Sequence, residues 1–99
     1  MAYFAVELVF SPDSESRLEI RPKHREFLTE QTEAGALVMS GPWVSDTGAL
    51  LIYRAEDEAA ARHIVEHDPY AADGAGVIAQ MRITEWRPVS GQLAKHLEG

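Results

Sequence analysis

From Tyr3 to Phe10 the chain alternates, with Phe4, Val6, Leu8 and Phe10 on one side and Tyr3, Ala5, Glu7 and Val9 on the other. A period of two built from aromatic and branched side chains predicts a β-strand. Its second face is also largely apolar, and that constrains the rest of the fold, because a strand apolar on both faces needs a cover on each. With 99 residues the chain has room for one core, since two would leave each half near the ~40 to 50 residue limit for independent folding. One sheet covered by helices on one face therefore leaves the other face for something outside the chain.

The remaining periodicities supply the sheet and the helices. Ser11, Pro12 and Asp13 break the first strand, and the polar stretch through Glu19 reads as a loop. Pro22 suits a helix's first turn and Gly35 a left-handed C-cap, which predicts a helix over 22–34. Short apolar runs at 36–40 and 48–53, separated by Gly41-Pro42 and a turn with Asp46 and Gly48, read as a strand hairpin. Three acids, Glu56, Asp57 and Glu58, precede a helical pattern over 59–67 that Asp68-Pro69 ends. From Val77 the odd positions Val77, Ala79, Met81 and Ile83 are apolar, a fourth strand ended by Pro88. The order βαββαβ predicts an α+β, ferredoxin-like unit, a four-stranded antiparallel sheet with both helices on one face. Tyr3, Ala5, Val9 and Trp86 then lie on the uncovered face, which predicts a homodimer. Residues 1–90 make the domain and 91–99 a tail with Leu93 and Leu97 at helical spacing.

Charge and composition exclude several functions. The net charge of −7 is shared between the two halves of the chain, so a phosphate backbone or an anionic membrane is repelled at long range and no nucleic-acid partner is expected. There are no cysteines, which removes disulfides, thiolate zinc sites and Cys nucleophiles together. The N-terminus lacks a basic region and reaches Glu7 before an apolar segment develops, so it does not read as a signal peptide. No window approaches the ~20 apolar residues of a membrane span. The expected compartment is cytoplasmic.

On the first predicted helix, Phe27, Leu28, Gln31 and Ala34 share the arc that must pack on the sheet, and His24 lies at its centre. On the second, Ala60, Ala61, Ile64 and Val65 share an arc that, if extended, includes Asp68. Antiparallel helices on one sheet face would bring His24 and Asp68 together. A carboxylate beside an imidazole fixes its tautomer and strengthens it as a base, the arrangement of an acid–base pair. A histidine at a core edge that only satisfies a hydrogen bond, and an Asp that only caps a turn before Pro, suit the same positions.

Other candidates surround these two. Ser40, Gly41 and Pro42 combine a hydroxyl with open backbone, or simply mark a turn. Arg21, Lys23 and Arg25 are a local basic cluster in an acidic chain and suit an anionic substrate. Trp43, Tyr70 and Trp86 suit a flat ring, or a core or dimer interface. His63 and His67 have the i, i+4 spacing of metal-binding helices, but no third ligand can be named and a solvated flank explains them better. No metal is expected.

The motifs together resemble the YCII (YciI-like) family: Arg21-Pro-Lys-His24 followed by Phe27-Leu28, then Gly35-Ala-Leu-Val-Met-Ser-Gly-Pro42, then Gly48 leading an apolar strand, then Asp68-Pro-Tyr70. The resemblance covers about residues 2–90, and its ordered set of R-x-x-H, G-x-L-x-x-x-G-P and D-P-[FY] is more specific than any one piece. It implies a dimeric α+β barrel, two ferredoxin-like units joining their sheets, with a His and an Asp as acid–base residues in each subunit's pocket. Those roles fall on His24 and Asp68, with Ser40, Gly41 and Pro42 beside them. One branch of the family is similar to muconolactone isomerase and includes a dehydrochlorinase of a chlorinated hydroxyquinol. The expectation is an enzyme of lyase or isomerase type that needs no cofactor, acts on a small cyclic or anionic molecule, and uses Arg21 and Tyr70 with 40–42 to bind it. A non-catalytic binding or regulatory module using the same pocket is the alternative, and a haem or flavin-type oxygenase of the wider superfamily is the third reading.

Overall fold

The structure, a computed structural model, describes residues 1–13, 15–72 and 74–97. Its elements run β1 (Ala2–Phe10), α1 (Glu15–Glu33), β2 (Leu37–Pro42), β3 (Gly48–Ala55), α2 (Glu58–Glu66) and β4 (Ile78–Trp86), with short 3₁₀ turns at Pro69–Ala71 and Ala94–His96. The strands form one antiparallel sheet in the order β2-β3-β1-β4, and this is the ferredoxin-like α+β arrangement. Among the described residues no helix is long and apolar enough to cross a membrane.

The alternation in β1 does what its period requires. Phe4, Val6 and Leu8 are buried under the helices, each contributing about 1.5–3 kcal/mol of transfer free energy. They meet Leu37, Leu51, Tyr53 and Ala55 of the neighbouring strands, with Leu28 of α1 and Ala61, Ile64 and Val65 of α2 packed on top. On the opposite face Val9 and Trp86 stay largely exposed and Ala5 half-buried, whereas Tyr3 is buried. Gly48 opens β3 where the Leu8 carbonyl and the Trp43 indole press against its backbone, so close that a Cβ would overlap the carbonyl oxygen.

Three expectations need correction. Helix α1 begins at Glu15, not at Pro22, so most of the stretch read as a loop is helical. The Asp13 carboxylate accepts a hydrogen bond from Glu15 N at 3.0 Å and covers one of the free donors at that end. Pro22 sits inside the helix and forgoes one hydrogen bond to the Leu18 carbonyl. Helix α2 ends at Glu66, capped by His67, and Asp68 has extended backbone rather than a place on the helical arc. The alternation also slips twice. A bulge at Val38, between the Leu37–Tyr53 and Met39–Ile52 pairs, turns Ser40 and Pro42 toward the helix-covered face opposite Leu51 and Ala49. A second, at the start of β4, pairs Ile78 with Phe10 and gives it the core position, leaving Ala79 exposed.

Candidate active site

Because α1 starts early, His24 lies at mid-helix and not at its start, and what packs against it is the 3₁₀ turn that follows α2. Asp68 opens that turn. Its Oδ1 accepts from Tyr70 N at 2.9 Å and lies 2.7 Å from His24 Nδ1, while the residue is only 2% exposed. An ionised carboxylate can only accept, so beside one a neutral imidazole holds its proton on Nδ1 and keeps the lone pair on Nε2. The Tyr70 ring lies flat on the imidazole, centroids 3.8 Å apart and planes 6° from parallel. Hydrogen bond and stack together restrain both the tilt and the rotation of the His24 ring.

The stack continues away from His24. Phe10 meets Tyr70 edge-on at 5.9 Å, and the Arg17 guanidinium sits 4.6 Å above the Phe10 ring. Arg17 Nη1 donates to Asp46 Oδ1 at 3.0 Å. That hydrogen bond, with the charges of Arg17 and Arg21 adding to it, holds the Asp46 carboxyl below the usual carboxylate range. Arg17, Arg21, His24, Arg25 and Leu28 follow helical spacing along one side of α1.

These groups border a cleft of about 380 Å³ between α1 and the sheet, at the small end of the ~300–1,000 Å³ usual for ligand pockets. Leu8, Phe10, Ala49 and Leu51 form its apolar part, and Ser40, Gly41 and Pro42 come from the exposed end of β2. Of the residues singled out from the sequence, His24, Arg21, Ser40, Gly41, Pro42 and Tyr70 all line this cleft, with Asp68 behind His24. Arg25 lines it as well. Trp43 and Trp86 are each more than two-fifths exposed, and only Tyr70 of the three large aromatics borders the cleft. His63 and His67 lie on the exposed flank of α2, where His67 Nδ1 donates to the His63 carbonyl at 2.7 Å. Among the described residues no three His, Cys, Asp or Glu side chains gather to hold a metal. Arg17, Phe10 and Asp46 join the cleft without having stood out as site residues in the sequence. The signal for Arg17 is its place four residues before Arg21 and seven before His24, which a helix starting at Pro22 hides.

Tyr53 lies in the core of the same face, fully buried, its hydroxyl without a partner among the described residues. Burial, reinforced by the Asp68 carboxylate, raises its pKa well above the ordinary value of 10.0. The folded phenol keeps its proton where the unfolded chain has lost it. The stability this contributes is complete below pH ~10 and declines as pH rises from there toward the higher folded value. Tyr53→Phe is therefore expected to hold or raise stability by about 1 kcal/mol at pH 7 and to flatten the alkaline decline, read from urea midpoints across pH. A loss above about 2 kcal/mol would mean that the hydroxyl is satisfied after all.

The chain is thus a small ferredoxin-like α+β domain in which a buried carboxylate backs a histidine that lines a cleft under one helix. Residues 2–87 match the YCII-related domain, and the chain belongs to that family. A curated relative, the derivative of benzaldehyde biosynthesis cluster protein C of Emericella nidulans, is 34% identical over 73 residues, covering 63% of this chain and 74% of the relative. Among solved structures, the 5-chloro-2-hydroxyhydroquinone dehydrochlorinase TftG of Burkholderia phenoliruptrix, in complex with 2,5-dihydroxybenzoquinone, superposes with a TM-score of 0.75 at 24% identity, covering 97% of this chain and 99% of that one. PA3566 of Pseudomonas aeruginosa gives 0.61 at 7% identity over 89% and 93%. At these identities the two structures speak for the fold alone.

Proposed function

We propose that the protein is an enzyme of lyase or isomerase type that moves a proton on a small, oxygenated ring using its own side chains. The 2.7 Å contact between His24 Nδ1 and the buried Asp68, made by a histidine that lines the cleft, carries this reading. His24 Nε2 takes the proton, and Asp68 holds the ring and stabilises the imidazolium that forms. Ser40 and Arg21 hold a substrate oxygen as charge develops on it, and Gly41, Pro42 and Tyr70 shape the walls. Support for a single ring comes from the size of the cleft, from the dehydrochlorinase solved with a dihydroxybenzoquinone, and from the relative named for benzaldehyde derivatives.

The test is incubation of the purified protein with 5-chloro-2-hydroxyhydroquinone, following chloride release. One HCl leaves per turnover, the proton to His24 and the chloride to solvent. Release on the order of 10²-fold or more above buffer supports the reading. Binding of 2,5-dihydroxybenzoquinone with no chloride released and no ring proton exchanged in D₂O would favour the binding module.

The working unit in this reading is a homodimer with the two sheets joined face to face. Val9, Met39 and Trp86 are 46%, 55% and 44% exposed, and the sheet face that Val9 and Trp86 share is left uncovered by the helices. Sedimentation equilibrium is expected to give about twice 11.0 kDa. A monomer at micromolar concentration would remove the dimer from the proposal.

A further inference from the structure

The most buried side chain of α1 is a charged one. Arg17 is 7% exposed, and its Nε–H has no acceptor among the described residues. A buried donor left unmade is a standing cost that an arriving acceptor removes. Its ion-pair partner among the described residues, Asp46, is exposed, sits in the turn between β2 and β3, and is the one described non-glycine residue with left-handed backbone, at φ 61°. Strain of that kind persists where the surroundings or the function hold it. Around this pair the cleft lining carries three guanidinium groups, of Arg17, Arg21 and Arg25, against the single carboxylate of Asp46. This excess of positive charge stands in a chain whose net charge is −7.

We propose that Arg17 reads the anionic group of the cleft's ligand, a small planar carboxylate, and that Asp46 is an internal stand-in for that carboxylate, pairing with the guanidinium when no ligand is present. The planar body fits the aromatic wall: Phe10 and Tyr70 lie between Arg17 and His24, so a ring resting there presents its anionic substituent to Arg17 and its other edge to the imidazole. A guanidinium suits the task because its donors match a carboxylate's two oxygens. The inference rests on the cleft being the ligand site but not on catalysis taking place there.

Salicylate and its neutral analogue salicylamide separate charge from shape, and calorimetric titration of each onto the full chain reads both. The wild-type protein is expected to bind salicylate at least about tenfold more tightly than salicylamide. Asp46→Asn removes the competing carboxylate, and asparagine tolerates left-handed backbone as well as aspartate does. That variant should tighten salicylate about three- to tenfold and leave salicylamide unchanged. Arg17→Gln should bring salicylate down to the salicylamide level, with Arg17→Lys in between. Should Arg17→Gln fail to fold by circular dichroism, the Asp46→Asn result decides. Equal binding of the two probes, binding of neither, or an Asp46→Asn variant in which salicylate binding is unchanged or weaker would overturn the proposal. These outcomes are independent of chloride release: turnover without salicylate preference sinks the anion reading alone, and salicylate preference with neither chloride release nor ring-proton exchange supports the anion reading and favours the binding module over the enzyme.

Discussion

His24→Asn is expected to lower turnover by about 10²–10⁴-fold while leaving the fold intact. The asparagine amide can place an N–H where His24 Nδ1 now donates to Asp68, so the buried carboxylate keeps its partner. What disappears is the second ring nitrogen, the base of the proposed reaction. Histidine and asparagine have nearly the same helix propensity, so the cost in stability should come mainly from the lost stack on Tyr70, about 0.5–1.5 kcal/mol. His24→Ala makes the contrast, since it strands a carboxylate that is 2% exposed and should cost about 2–3 kcal/mol in addition to the activity. Chloride release and urea midpoints on the same preparations distinguish the two. Full turnover in His24→Asn would mean that His24 serves packing and hydrogen bonding only.

Asp68 gives the second large effect, split the other way. One carboxylate oxygen accepts from both His24 Nδ1 and Tyr70 N, so Asp68→Ala strips two donors of their acceptor in a nearly dry place and should cost about 2–4 kcal/mol. Loss of the 3₁₀ turn would also release Tyr70 from its stack on His24. Asp68→Asn retains an oxygen for both donors but loses the charge that stabilises an imidazolium. It should therefore stay within about 1 kcal/mol of the parent in stability and still lose on the order of 10²-fold or more in turnover. If Asp68→Asn keeps both, the contact is a structural hydrogen bond and Asp68 has no electrostatic part in the reaction.

The pair was legible before the structure, but for a reason only partly right. His24 was expected at the start of one helix and Asp68 on an extension of the other, whereas His24 lies at mid-helix and Asp68 opens a separate turn. The two still meet because His24 keeps its angular place on α1 wherever the helix begins, and because the turn that Asp68 opens packs against α1. The angular position of His24 relative to Leu28 depends only on their separation of four residues, whatever the helix's first residue is. Arg17 had no such protection. With Pro22 as the start, nothing before it has a helical position at all, although a helix can absorb one missing hydrogen bond when its other contacts are sufficient.

What the amino-acid order determined alone was local and periodic: the strand pattern of β1, the apolar arcs carrying Leu28, Ile64 and Val65, the βαββαβ order, and the absence of cysteine chemistry. These follow from spacing, and spacing is a property of the chain. The tertiary structure decided which residues face each other across elements. The bulge at Val38 turns Ser40 to the cleft where strict alternation from Leu37 would have presented Met39. The left-handed turn brings Asp46 to Arg17 across 29 positions of sequence. Both depend on register and turn geometry settled by packing against distant partners, and a periodicity of two or 3.6 carries no trace of such partners.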